Sequence, residues 1–326
     1  MQQSNWQSAL QKAKTSPAAI LEDAGLSGFS LPLAIQAADS FPLRVTEGFK
    51  NRIINGDDQD PLLRQILPLA EEDQDHPDFS IDPLAEYAKQ PVPGLLHKYH
   101  GRALLVVTGA CAIHCRYCFR RHFSYQDSNP ASNQWQTALE YLVQDNTITE
   151  VILSGGDPLT LSDDRLSGLA EALAKIPHIK RLRIHTRIPI VLPERIVDSL
   201  VDWLTGTRLK PVMVVHVNHA NELDHSVIPA IEKLRNAHIP LLNQSVLLKG
   251  VNDSVKTLAT LSERLFDLGI LPYYLHMLDP VKGTAHFAVD DEQAQAIMQG
   301  LRDSLPGYLV PKLVREVAGH ASKLPL

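Results

Sequence analysis

Cysteine is nearly absent from this chain. Of 326 residues only three are cysteine, and all fall within Cys111-Ala-Ile-His-Cys115-Arg-Tyr-Cys118. A disulfide framework does not fit, because one pairing strands an odd thiol and the polar start, Met1 to Trp6, shows no apolar leader. An excess of basic charge is missing too. A net charge of -6 and a pI near 6.1 argue against nucleic acid as a main ligand. No run approaches the roughly 18 apolar residues of a membrane span, and no internal repeat or low-complexity tract is found. The expected compartment is the cytoplasm, whose reducing conditions suit free thiolates. What remains, at 44% hydrophobic residues, is enough to bury a large core as one α/β domain with a small appendage.

The three cysteines are spaced C-x3-C-x2-C on one loop. Three thiolates can hold a metal centre and leave one coordination position open; a four-iron cluster normally takes four thiolates, so one iron would be free to bind something else. The main rival is a structural zinc site completed by His122 as Cys3His. A nucleophilic thiol would not need two companions at this spacing.

Short apolar runs recur at 104–107, 151–153, 182–184, 212–217, 241–248 and 273–275, with helical periodicity at 163–175, 193–205, 222–237, 255–268 and 290–304. After the first interval the spacing of about thirty residues fits βαβ units around a parallel sheet. Six units read as a partial (β/α)6 barrel, although an open doubly wound sheet has the same period. The loops that follow the runs favour the barrel, since parallel barrels gather their chemistry there. The cysteine loop follows the first run, Gly155-Gly156-Asp157 the second, His185-Thr186-Arg187 the third, Asn218-His219 the fourth and Asp279 the sixth. Residues 1–95 read as a helical N-terminal region joined through 91–94 to a barrel spanning 96–326.

The cysteine spacing, with Tyr117 before the last cysteine and Ser154-Gly-Gly-Asp-Pro158 after the second run, resembles the radical S-adenosylmethionine (SAM) superfamily. That resemblance implies a 4Fe-4S cluster on Cys111, Cys115 and Cys118, and SAM chelated to the open iron. Gly155, Gly156 and Asp157 would receive its methionine part, with Asp157 accepting from the ammonium. A closer likeness follows from Cys118-Phe-Arg-Arg121, Arg183-Ile-His-Thr-Arg187-Ile-Pro, His216-Val-Asn-His-Ala-Asn-Glu222, Asn243-Gln-Ser-Val-Leu-Leu-Lys-Gly-Val-Asn-Asp253 and Gly319-His-Ala-Ser-Lys323. These motifs, in this order, resemble the lysine 2,3-aminomutase family over residues 95–326.

The family resemblance implies a second cofactor, pyridoxal 5'-phosphate (PLP), on Lys323. Only Gly319 remains of the glycine run that commonly precedes this lysine. Arg102 matches a phosphate-binding arginine, Tyr99 a residue at the pyridine ring, and His216 and Gln244 residues near SAM. Lys98 stands where an arginine is usual. Arg120 matches the arginine that pairs with the substrate α-carboxylate. Asp279 and Glu316 match two carboxylates that share the ε-ammonium of L-lysine, Glu316 being one methylene longer than the usual aspartate. The implied reaction converts L-lysine to (R)-β-lysine, with a flavodoxin or ferredoxin as electron donor. Ser254 replaces a cysteine of the catabolic enzymes, and the chain stops three residues after Lys323. Both features resemble the shorter bacterial branch that serves elongation factor P and its ligase. The alternatives are a free-standing aminomutase of lysine catabolism or osmolyte synthesis and, from another class, a non-catalytic zinc or electron-transfer module.

Overall fold

Strands alternate their side chains between two faces, and here that period of two builds both the core and the site. The computed structural model describes residues 5–28, 31–125 and 135–326. Its sheet runs in chain order: β1 (Leu95–Tyr99), β2 (Arg102–Thr108), β3 (Glu150–Gly155), β4 (Arg181–Thr186), β5 (Lys210–Val215), β6 (Leu241–Val246), β7 (Leu271–His276), β8 (Lys312–Arg315) and β9 (Leu324–Pro325). From β2 to β8 every pairing is parallel, while β1 and β9 pair antiparallel at the two edges. The two edges do not pair with one another among the described residues, so the barrel stays open.

On β4, Leu182 and Ile184 enter the apolar core beneath the helices, while Arg183 and His185 face the concave side. Val151 and Leu153 of β3 do likewise, leaving Ile152 and Ser154 on the concave side. Helices Asp163–Ala174, Asp198–Thr205, Ile228–Asn236, Val255–Asp267 and Asp291–Ser304 connect successive parallel strands. Each contributes an apolar stripe, such as Leu258, Leu261 and Leu265, to one continuous core.

Besides the edge strands β1 and β9, which the apolar runs did not mark, the sequence expectations differ from the structure in four places. Helix 193–205 is broken: a 3-10 turn at Pro193–Arg195 precedes Asp198–Thr205. The buried Arg195 guanidinium lies at the break, donating to the carbonyls of Leu159 and Leu161 at 2.9 and 3.1 Å and to Asp163 Oδ1 at 2.6 Å. Helix 222–237 starts late, at Ile228, where Pro229 suits a first turn. Helix Gln136–Gln144, between β2 and β3, was not anticipated. Neither was β8, which adds one short parallel strand beyond the six read from periodicity.

Residues 5–89 hold short helices, among them Asn5–Gln11, Pro17–Asp23, Glu47–Lys50 and Pro61–Arg64. Trp6, Ile20, Phe49, Leu62 and Ile66 from this stretch belong to the same apolar core as the barrel strands. The N-terminal stretch therefore wraps the barrel and shares its interior.

Candidate active site

A cavity of about 570 Å³ fills the concave face, and its lining includes every residue singled out from sequence: Tyr99, Arg102, Cys111, Cys115, Tyr117, Cys118, Arg120, Gly155, Gly156, Asp157, His216, Gln244, Asp279, Glu316 and Lys323. The tail is what completes it. β9 turns back against β8, pairing Leu324 with Arg315 and Pro325 with Val314, and this brings Lys323 to the mouth. There Lys323 Nζ donates to Glu316 Oε2 at 2.6 Å.

At the other end, the three cysteines are free thiols partly shielded from solvent. Burial, followed by the neighbouring thiols, pushes Cys118 up to about 11 and raises Cys111 well above the usual thiol range. Such thiols lose their protons when a cationic metal centre takes their place as partner. Arg187 Nη1 lies 2.8 Å from Cys115 Sγ, while its Nη2 donates to Gln65 Oε1 at 2.6 Å and Glu222 Oε2 at 2.8 Å. Among the described residues, no three His, Cys, Asp or Glu side chains form a group that could hold a single ion. His122 turns its Nε2 to the Lys282 carbonyl at 3.1 Å, away from the Cys3His zinc set. Three thiols on one loop are the donor set that a four-iron cluster with one open iron would take.

The loop is clamped from the N-terminal side. Arg116 and Arg121, which flank Cys118, both donate to Glu72 Oε2, at 2.6 and 2.7 Å, and all three side chains are buried. The Arg116 amide donates to the Gln65 carbonyl at 2.8 Å, and His114 Nδ1 lies 2.6 Å from the Pro42 carbonyl.

The loop after β3 is held to neighbouring chain through Asp157. Its Oδ1 accepts from Thr186 Oγ1 at 2.7 Å and the Leu159 amide at 3.1 Å, and its Oδ2 from the amides of Arg187 at 2.7 Å and Ile188 at 3.2 Å. Four bonds use all the acceptor positions of a carboxylate. Burial still pushes Asp157 up to about 6 against those hydrogen bonds, and its role is to tie the β3 loop to the end of β4. Gly155 and Gly156, in turn, make room for chain as well as for ligand. A Cβ on Gly156 would stand 2.3 Å from the Ala110 carbonyl oxygen, and Gly155, at φ +120°, would meet Thr108 O at 2.5 Å.

Arg120 is also more occupied than its sequence context suggests. Nε and Nη2 grip Glu86 at 2.7 and 2.9 Å, and Nη1 donates to Ser154 Oγ at 3.2 Å. Of five N–H donors, two remain for an incoming carboxylate.

Elsewhere the lining is unpaired. The Nε2 atoms of His185, His216 and His276 are buried with no hydrogen-bond partner. Burial holds His216 at about 4 and His276 at about 3, so the rings are neutral. Arg102 packs over the Tyr99 ring at 4.6 Å and has no anionic partner among the described residues. Among the described residues Asp279 has no hydrogen bond or ion pair to its carboxylate, and burial, then Glu316, push it up to about 7. Burial alone would raise Glu316, but the ammonium groups of Lys323 and Lys98 outweigh it and hold the carboxylate well below its usual range. Tyr99 and Tyr117 are both raised above the usual phenol range by burial. Gln244 lies on β6 with its side chain at the cavity wall.

Glu86, His276 and the Glu72 clamp are missing from the sequence-based set. Glu86 sits in an acidic, proline-broken passage with no motif. His185 and Arg187 lie inside a quoted motif and were left without a role.

An open parallel barrel with three cysteines on the loop after β2 defines a radical SAM protein, a class that works with a 4Fe-4S cluster and SAM. A family model described as the radical SAM superfamily matches residues 105–261. The L-lysine 2,3-aminomutase of Escherichia coli (strain K12) is 50% identical over 323 residues, covering 99% of this chain and 94% of that protein. That of Haemophilus influenzae is 47% identical over 99% of this chain and 95% of its own length, and that of Clostridium subterminale 36% identical over 89% and 70%. The chain belongs to the lysine 2,3-aminomutase family of isomerases.

Proposed function

We propose that this protein is a radical SAM, PLP-dependent 2,3-aminomutase that converts L-lysine to (R)-β-lysine. The observation that supports it most is the shared cavity, with the cysteine loop at one end and Lys323, carried on a returning tail, at the other. Cys111, Cys115 and Cys118 would hold the cluster, and Gly155, Gly156, His216 and Gln244 would border SAM. Lys323 would hold the PLP carbonyl carbon, Arg102 its phosphate and Tyr99 its ring. The unpaired Arg102 guanidinium and the orphaned histidine nitrogens fit polar ligands that fill the cavity. When bound, the cluster and SAM would supply a carbon-centred radical, and PLP a conjugated ring that stabilises an unpaired electron while the amino group moves between adjacent substrate carbons.

The chain's own residues orient the substrate. The two free N–H donors of Arg120 take the α-carboxylate, and the acidic end of the cavity takes the ε-ammonium. Glu316 holds Lys323 at the mouth, and the surrounding walls limit water. No helix of the described residues is long and apolar enough to cross a membrane; the cytoplasm, with a flavodoxin or ferredoxin as donor, is the setting we propose.

We assign the product to elongation factor P and its ligase. Ser254 supports this branch: where the catabolic enzymes carry a cysteine, its hydroxyl caps helix Val255–Asp267, accepting from the Thr257 amide at 3.2 Å. Anaerobically purified protein, given L-lysine, SAM, PLP and dithionite, should form β-lysine of R configuration by chiral chromatography. Colourless, zinc-containing protein with no β-lysine would sink the enzymatic reading. An unchanged mass of elongation factor P after gene deletion would move the product to lysine catabolism or osmolyte synthesis.

A further inference from the structure

Of the three cysteine sulfurs, only that of Cys115 has a guanidinium bonded to it among the described residues: Arg187 Nη1 lies 2.8 Å away. The Tyr117 phenol donates to the same sulfur. The way Arg187 is held is informative. A guanidinium that served only to tie loops together would set two parallel N–H bonds on its carboxylate. Here Nη2 alone takes both oxygen acceptors, Gln65 Oε1 at 2.6 Å and Glu222 Oε2 at 2.8 Å. That leaves Nη1 turned to sulfur and Nε with no partner among the described residues. Glu222 is fixed in its turn, with Oε1 accepting from the amides of Asn218 at 2.9 Å and His219 at 3.1 Å and from Gln65 Nε2 at 3.2 Å. Arg187 is 5% exposed and Glu222 0%, so the guanidinium is confined beside the sulfur.

The reduction potential of an iron-sulfur cluster depends on its net charge, its burial and the hydrogen bonds to its sulfurs. A thiolate sulfur bound to iron still accepts a hydrogen bond. A donor there stabilises the reduced cluster, which carries one more electron, above the oxidised one. In a buried site that preference is poorly screened. We propose that Arg187, acting through Cys115, raises the reduction potential of the cluster and so eases its one-electron reduction, while Gln65 and Glu222 hold the guanidinium in place. One electron passes from the donor protein to the cluster, no bond to the arginine is made or broken, and the guanidinium keeps its protons. Arg187 is thus a positioning residue and not a ligand. The inference goes beyond the aminomutase reading and rests on one part of it, the assignment of Cys111, Cys115 and Cys118 to the cluster.

The test uses full-length, cluster-loaded protein without SAM or lysine, poised anaerobically at a series of potentials, with the reduced cluster counted by electron paramagnetic resonance. Arg187→Met should make reduction about tenfold less favourable, a fall in midpoint of about 59 mV for one electron, with iron content per chain retained. Arg187→Lys keeps a cation that can serve the sulfur or Glu222 but has no fork to serve both, and it should recover part of that fall. Gln65→Met, which loosens the guanidinium without touching the sulfur, should lower the reduction equilibrium by about threefold. If Arg187→Met does not hold its cluster, the other two variants are read in its place. A midpoint that is unmoved or raised in the variants that hold the cluster, or loss of the cluster from all three, would overturn the inference. Unaltered protein with no four-iron signal would instead defeat the assignment of the three cysteines.

Discussion

The two ends of the cavity are built on opposite principles. At the cysteine end the charged groups are paired: Glu72 with Arg116 and Arg121, Arg187 with Glu222 and Gln65, Asp157 with four donors. At the Lys323 end Glu316 is paired with Lys98 and Lys323, but Arg102 has no anion, the Asp279 carboxylate no cation and His276 Nε2 no partner among the described residues. A buried ion pair with good geometry fixes conformation, whereas an unpaired buried group is a cost that a ligand relieves. The first end is a frame fixed by ion pairs within the chain, and the second leaves several polar groups free to meet a ligand. The first residues of the chain belong to the frame.

The largest effect that could sharpen this contrast is loss of Lys323. Lys323→Ala should lower turnover at least a thousandfold and abolish retention of PLP on a desalting column. Iron content per chain should not change, because the ion pair of Lys323 is with Glu316, outside the frame. A fall in iron together with PLP would show that the two ends are not independent.

Next comes the clamp. Glu72→Gln leaves two buried guanidinium groups facing each other, a loss of about 3–5 kcal/mol when one partner of a buried ionic group is removed. Thermal unfolding should report it, and iron loading should drop while residual folded protein still takes up PLP. Unchanged stability would mean that water or backbone carbonyls already satisfy Arg116 and Arg121. Gly156→Ala is smaller, at about 1–3 kcal/mol, since only the 108–110 segment must move to admit the methyl group. Its signature is reduced iron loading with lysine binding retained.

The contrast also accounts for how much could be read from residues alone. The strands β2 to β7 were legible because each holds a short apolar run and most connections a helical period, both local properties. The cysteines, Lys323 and Asp279 were legible because their spacing or motif is local too. The partners that decide each residue's state were not: Arg120 meets Glu86 across 34 residues, Lys98 meets Glu316 across 218, and Asp157 meets Thr186 across 29. The motif marks Asp157 as a ligand residue but does not show its four donors, Thr186, Leu159, Arg187 and Ile188. The short helices of the N-terminal stretch carry little periodicity, so their part in clamping the cysteine loop was invisible.

The smallest effect is one of pH, and it isolates Asp279. The pKa of this carboxyl is raised to about 7 in the folded chain from 3.8, first by burial and then by Glu316. A raised folded pKa means that the native state holds a proton the unfolded state has lost. Its contribution is therefore complete below about pH 3.8 and is lost as pH climbs through about 7, at most a few kcal/mol. Asp157, raised to about 6 by burial, acts in the same direction at the other end, so only the difference between wild type and Asp279→Asn isolates the residue. Lysine binding runs the opposite way. An ammonium prefers the ionised form, whose share falls about fourfold between pH 8 and 6.5 for a pKa near 7. Affinity for L-lysine should fall by that factor in wild type and stay level in Asp279→Asn, measured without reductant. A wild-type affinity that is flat across this range would mean that Asp279 is already ionised beside a partner, and the unpaired end of the cavity would then be as fully paired as the cysteine end.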